Sequence, residues 1–144
     1  MRARIDRIEI DEDEKTARII DFKTGKKAIS KNDAQNNAQL RIYQWLIRKN
    51  ANMNLKSELR KKLSHSDLTG AMLLYLQDTS RSGEPGQRLQ SPPDEEDMKR
   101  TEEELAQASV LMRQGNIRAV PNALCGRCEF ANLCPAQNGG RIFS

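Results

Sequence analysis

The pattern that most constrains this chain is a pair of short runs, Ile5-Asp6-Arg7-Ile8-Glu9-Ile10 and Ala17-Arg18-Ile19-Ile20-Asp21-Phe22, on either side of the acidic stretch Asp11-Glu12-Asp13-Glu14. Both runs are rich in β-branched residues, and that arrangement predicts a β-hairpin. With the turn centred on Asp13-Glu14, an antiparallel register pairs Ile10 with Ala17, Ile8 with Ile19 and Asp6 with Asp21 on one face. The other face pairs Glu9 with Arg18 and Ile5 with Phe22, which are favourable neighbours. A slip of one residue would set unlike faces against each other, so parity selects the register.

That register has a chemical consequence. Asp21 and Lys23 lie two apart on a strand and share a face, and Asp6 joins them. Directly opposed residues have Cβ atoms only about 4.5–5.5 Å apart, where two ionised carboxylates repel unless something neutralises them. A divalent cation would do so. Magnesium takes one or two carboxylates together with waters and phosphate oxygens, and a neighbouring lysine can orient or deprotonate a water and offset developing negative charge. The bland alternative is a set of ordinary surface ion pairs of Asp6 and Asp21 with Arg4, Arg7 or Lys23, each worth little energy. The hairpin alone leaves both readings open.

Beyond Thr24-Gly25, a turn signal, residues 32–49 predict a helix with Leu40, Tyr43, Leu46 and Ile47 as its apolar stripe, widened by Ala38, Ile42 and Trp45. Residues 50–66 predict an exposed amphipathic helix, with Lys56, Arg60, Lys61 and Lys62 beside Leu55, Leu59 and Leu63. The nearly continuous apolar run from Gly70 to Leu76 predicts a central strand buried on both faces. Residues 78–93, with Ser80, Ser82, Gly83, Gly86 and Pro92-Pro93, read as a long loop. Asp94 caps a final helix that runs to about Gln114 and stops at Gly115. At 144 residues the chain has room for one domain and no second. It carries neither an apolar run long enough for a membrane span nor a secretory signal, which predicts a soluble protein of the reducing cytoplasm. The net charge of +4 is compatible with a polyanionic partner.

Three cysteines lie near the C-terminus, as Cys125-Gly126-Arg127-Cys128 and then Cys134 after five further residues. The spacing suits a zinc ion or an iron-sulfur cluster, either of which needs four ligands, and fits a disulfide framework poorly. His65, the only histidine, stands sixty residues before Cys125 in a polar segment and reads as a solvated surface residue rather than a fourth ligand.

The series Ile5-Asp6-Arg7-Ile8-Glu9, Ile19-Ile20-Asp21-Phe22-Lys23-Thr24-Gly25 and Gln39-Leu40-Arg41-Ile42-Tyr43 resembles the motifs of the RecB-type branch of the PD-(D/E)xK nuclease superfamily. The resemblance implies an α/β fold, a mixed β-sheet flanked by helices. It implies that Asp6 and Asp21 bind Mg2+ or Mn2+, completed by the backbone carbonyl of Phe22, and that Lys23 assists catalysis. Gln39 and Tyr43 correspond to a Q-x-x-x-Y helix that orients the site and touches the DNA backbone. The tail, with Phe130 between the second and third cysteines, resembles AddB- and AdnB-like nucleases. There Cys125, Cys128 and Cys134 would join an upstream cysteine around a 4Fe-4S cluster.

This sequence departs from the family pattern at its start. The upstream cysteine and a helix bearing a histidine are missing, and Ala3 stands where a glycine is often seen. The chain is therefore expected to be the C-terminal portion of a longer polypeptide, with 1–120 a partial nuclease core and 121–144 a cysteine-rich tail. The implied activity is exonucleolytic hydrolysis of single-stranded DNA fed by an ATP-driven helicase, in double-strand-break processing during recombinational repair. Arg4, Arg7, Lys26, Lys27, Lys31 and Arg41 would neutralise phosphates. In isolation the chain is expected to be weakly active or inactive, with a cysteine site that holds zinc or nothing, and to self-associate through an uncovered sheet. Two other readings stand beside this one. A catalytically silent DNA-binding or scaffolding module would keep the fold without cleavage. A zinc-clipped protein-interaction domain leaves the co-occurrence of Asp6, Asp21, Lys23, Gln39 and Tyr43 unexplained.

Overall fold

A computed structural model of the chain describes residues 3–49, 55–79, 83–115 and 118–136. The alternating runs form the expected hairpin, β1 (Arg7–Asp11) and β2 (Thr16–Lys23), in the predicted register: Ile8 faces Ile19, Glu9 faces Arg18 and Ile10 faces Ala17. Asp11 closes the tip, its Oδ1 accepting from the backbone N–H groups of Asp13 and Glu14. The ladder ends at Arg7, one residue short of the expected Asp6–Asp21 pair. The reason is local: Asp6 Oδ2 accepts the Phe22 N–H at 3.1 Å, a side-chain oxygen at the point where the strand pairing stops.

The predicted helix over 32–49 is broken in two, α1 (Lys31–Gln35) and α2 (Ala38–Arg48). Asparagine side chains compete with helical bonding and favour caps. Asn37 caps α2, accepting from Leu40 N at 3.0 Å, while Ser30 caps α1 through Asp33 N. Leu40 and Tyr43 are buried, whereas Leu46, Ile47, Ile42 and Trp45 are only half-buried, because one face of α2 lies on the sheet. The helix α3 (Ser57–Ser64) is exposed and amphipathic as expected; the first residues of that predicted segment, 50–54, lie outside the described residues.

The central strand β3 (Asp67–Thr79) is longer than its apolar run and pairs in parallel with β2. Its register slips where Ala17 faces Leu68 but Ile19 faces Ala71. Gly70 sits in that bulge at φ +123°, and a Cβ there would collide with the carbonyl oxygen of Gln90, so the position requires glycine.

The predicted loop over 78–93 contains a strand, β4 (Pro85–Gln90), which completes a sheet of order β1-β2-β3-β4. Pro85 is tolerated because β4 is an edge and the proline is its first residue. Ser80 and Ser82 of that segment lie outside the described residues.

One face of the sheet carries the core. Ala17, Ile19, Leu68, Ala71, Leu73 and Tyr75 meet Ala28, Leu40 and Tyr43. Burial of a leucine such as Leu73 stabilises by roughly 1.5–3 kcal/mol, so a polar residue there would break the layer. Phe22, Leu76 and Leu89 are among the exposed large apolar side chains.

The chain divides into two compact units, Met1–Glu103 and Glu104–Ser144. The last helix, α4 (Glu95–Gln114), begins with Asp94 Oδ1 accepting from Asp97 N and with three acidic residues in its first turn, where the helix dipole favours them. Gly115, at φ +63°, follows its end. In the second unit, two 3₁₀ turns, Cys125–Arg127 and Ala131–Leu133, repeat the same hydrogen-bond pattern six residues apart. Cys128 and Cys134 follow them in nearly identical extended conformations. Among the described residues no helix is long and apolar enough to cross a membrane.

Candidate active site

The parity of β2 turns Ala17, Ile19, Asp21 and Lys23 toward the helix layer. The first two enter the core, and Asp21 and Lys23 come last, at the carboxyl end of the parallel β2–β3 pair, which is where open α/β sheets bind ligands. Asp21 is 3% exposed. A carboxylate so buried needs compensation. Its Oδ1 accepts from Gln39 Nε2 at 3.0 Å, and its Oδ2 lies 2.7 Å from Lys23 Nζ. The contact with the lysine is an ion pair whose approach angle lies outside hydrogen-bond geometry.

Gln39 joins the two charges. Its Oε1 accepts from Lys23 Nζ at 2.8 Å, while Nε2 donates to Asp21 and also to Tyr43 Oη at 2.9 Å. Tyr43 Oη in turn donates to the Arg4 carbonyl at 2.8 Å, which ties α2 to the segment that carries Asp6. The spacing of four between Gln39 and Tyr43 places both on one helical face, as expected. The Tyr43 ring is part of the core, and its hydroxyl accepts from Gln39 and gives its one proton to the Arg4 carbonyl, so it braces the site.

Asp6 is exposed, beside Asp21, with Oδ2 bonded to the Phe22 N–H. The Phe22 backbone thus sits between the two carboxylates, while its side chain turns to the other face of the sheet. A hard cation suits this donor set: one carboxylate at the end of β2, a second just before β1, and an exposed Asp6 open to waters or phosphate oxygens. Two carboxylates are also all that the place supplies. Among the described residues no group of three or more His, Cys, Asp or Glu side chains could hold a metal ion.

The same holds for the cysteines. Cys125, Cys128 and Cys134 are free thiols, and Cys125 Sγ accepts from Asn122 N at 3.2 Å; the three are not gathered as a ready set of ligands. His65 is exposed and bonds through Nδ1 to the Lys61 carbonyl, as a surface histidine would.

The basic residues separate into two groups. Arg4, Lys26 and Lys27 are exposed at the site end of the sheet, and Arg41 is half-buried on α2. Arg7 departs from the expectation. It pairs with Ile20, on the face opposite Asp21, and its guanidinium meets Glu9 at 2.8 Å, the i, i+2 neighbour that the strand period dictates.

Sequence reasoning missed a buried amide pair behind the site. Gln90 Nε2 reaches the carbonyls of Ala34, Gln35 and Asn37 around the α1–α2 break, and Gln90 Oε1 accepts from Gln44 Nε2. Nothing in the sequence signalled it, since Gln90 lies in a segment that reads as loop.

A family model described as the PD-(D/E)XK nuclease superfamily matches residues 1–135. No curated protein matches the chain.

Proposed function

Because the chain belongs to the PD-(D/E)XK nuclease superfamily, we propose that it is the metal-dependent deoxyribonuclease module of a RecB-type helicase-nuclease, cutting single-stranded DNA during double-strand-break processing. Superfamily membership by itself implies a nuclease acting on DNA, of a kind that generally uses Mg2+ or Mn2+. The observation that supports the metal-dependent reading is Asp21, a carboxylate 3% exposed that lies beside the Lys23 ammonium and next to Asp6, which bonds the adjacent Phe22 N–H.

Asp6 and Asp21, with the Phe22 carbonyl, are the groups that would hold the ion. When bound there, a divalent cation would polarise a phosphoryl oxygen and lower the pKa of a water. Lys23 contributes differently. Its ammonium has three donors. One is engaged by Gln39 and the charge is held against Asp21, which leaves an N–H for the attacking water or the phosphate. Gln39 keeps the lysine and the aspartate in fixed relation, and Tyr43 holds the Asp6 segment in place through the Arg4 carbonyl.

The cysteine clip belongs to this proposal by its spacing and its AddB-like context only. Iron and zinc analysis of the natural polypeptide tests it. For the nuclease, the test is metal-dependent release of nucleotides from end-labelled single-stranded DNA. In the full-length parent polypeptide, wild type should cleave with Mg2+ or Mn2+ and Asp21→Ala should not, while the isolated chain is expected to release little or nothing. DNA binding with no cleavage in either metal, and no change on Asp21→Ala, would support the silent-scaffold alternative instead.

A further inference from the structure

The connection from β2 to α1 carries Lys26 and Lys27, both exposed and neither in an ion pair among the described residues. Directly after them the backbone is pinned at two successive residues by two different strands. The Ala28 N–H donates to Asp78 Oδ2 at 2.7 Å, and the Ile29 carbonyl accepts from Arg88 Nε at 2.5 Å. Arg88 is itself held, its guanidinium donating to the Gln87 carbonyl at 2.8 Å. On the other side of the lysines, Lys23 is fixed by Asp21 and Gln39.

The sheet is distorted to make the first pin. Tyr75 faces Gly86 and Thr79 faces Pro85, so the residues between Tyr75 and Thr79 bulge out of the ladder, and bulges re-aim side chains beside functional sites. Asp78 lies in that bulge. Gly86 accommodates it, since a Cβ there would stand 3.0 Å from the Asp78 carbonyl oxygen and 3.3 Å from Oδ2. A carboxylate that reaches the residue after Lys27 could pair with one of the two lysines. Asp78 instead spends its oxygen on a backbone amide, which fixes the loop and leaves both cations unpaired.

We infer that Asp78 and Arg88 are positioning residues that clamp the β2–α1 connection, so that Lys26 and Lys27 form a fixed phosphate grip beside the Asp21–Lys23 site. The inference rests on the nuclease reading above. Ordering the loop in advance removes that cost from DNA binding, so the clamp acts on substrate affinity and not on bond cleavage.

The test compares wild type, Lys26→Gln/Lys27→Gln, Asp78→Ala, Asp78→Asn, Arg88→Met, and Asp78→Ala and Arg88→Met each combined with the lysine pair. Binding of fluorescein-labelled oligothymidylate is titrated against KCl in EDTA, and cleavage with Mn2+ is measured separately. For every phosphate that is no longer neutralised, the plot of log K against log salt should flatten by about 0.7. Asp78→Ala and Arg88→Met should flatten it toward the slope of the lysine pair and raise KM while kcat holds. Asp78→Asn, which retains an acceptor for Ala28, should stay near wild type. In the combined variants, either pin change should add nothing to the lysine pair. Unchanged slopes in the pin variants, or losses that add to those of the lysines, would overturn the clamp. If Asp78→Ala does not fold, Arg88→Met and its combination carry the same comparison. Wild-type cleavage reports on the nuclease reading alone, whereas the salt slope in EDTA reads the clamp without cleavage, so the two can fail separately.

Discussion

Asp6 combines an observed structural bond with a proposed role in metal binding, and substitution can separate the two. Its charge is available to a cation, and its Oδ2 caps the Phe22 N–H where the β1–β2 ladder ends. Asp6→Asn keeps an acceptor and loses the charge; Asp6→Ala loses both. Calorimetric titration with Mn2+ should therefore find both variants weakened alike, while urea unfolding should separate them by about 1 kcal/mol, the alanine being less stable. Equal stability of the two variants would mean that the Phe22 bond contributes nothing. Gln39 makes a second residue-scale case. It touches Asp21, Lys23 and Tyr43 together, so Gln39→Leu releases the lysine from its position and leaves the Asp21 carboxylate with one fewer donor. Groups that orient metal ligands typically cost about 10–100-fold in metal affinity or activity when removed. That loss is expected in kcat with the fold intact by circular dichroism, and a variant within twofold of wild type would show that the lysine needs no such holder.

Between elements, buried amides and surface ion pairs contribute very differently. Gln90 supplies donors to three carbonyls at the α1–α2 break, and Gln44 depends on it as well. Gln90→Leu should cost about 1–3 kcal/mol in urea unfolding, because the Gln35 carbonyl and the buried Gln44 amide each lose a partner; a change under about 0.5 kcal/mol would show that water replaces the amide. By contrast, Lys62 ties α3 to the hairpin tip through Glu12 at 2.6 Å, in the open. The hydrogen bond and charge of Glu12 raise the Lys62 pKa above the ordinary lysine value. A lysine with a raised folded-state pKa adds stability that is fully present below its unfolded pKa and fades as pH climbs through the folded one. The tie is thus intact at neutral pH and lost only in strong alkali. Glu12→Gln should lower the Lys62 titration midpoint seen by NMR, and an unmoved midpoint would remove Glu12 as the cause. These elements also mark what a sequence discloses. The hairpin register and the Asp21–Lys23 and Gln39–Tyr43 placements were legible because periods of two and of four are properties of the strand and helix backbone. The strand β4 was hidden, since Pro85 and Gly86 read as loop until a neighbouring edge and the Asp78 bulge explain them. The α1–α2 break was hidden too, because residues 31–37 are polar apart from Ala34 and only the Asn36-Asn37 pair marks the boundary.

The distribution of charge across the first unit follows from the length of its strands. An eight-residue strand such as β2 holds its ends roughly 25 Å apart, more than two Debye lengths at 0.1 M salt, so the two ends of the sheet act on DNA independently. At the far end, Glu12 and Glu58 are both paired to Lys62, Lys15 and Lys61 line the same cavity as those two acids, and the exposed Asp13 and Glu14 precede Lys15 in the turn. Acids and bases there nearly cancel. At the site end Lys26, Lys27 and Lys31 are exposed and unpaired among the described residues, next to carboxylates that a cation would neutralise. A polyanion is therefore attracted to the catalytic end and not to the hairpin tip. Reversing the tip with Asp13→Lys and Glu14→Lys spares Asp11, which closes the turn, and builds a rival basic patch with Lys15 and Lys61. That variant should bind single-stranded DNA more tightly at low salt and with a steeper salt slope, yet turn over more slowly per bound strand, because part of the DNA is held at the wrong end. Anisotropy titrations paired with single-turnover cleavage measure both quantities on the same preparation. Tighter binding with undiminished cleavage per bound strand would show that the tip acids do not direct the strand, and the two ends would then have to be treated as one continuous field.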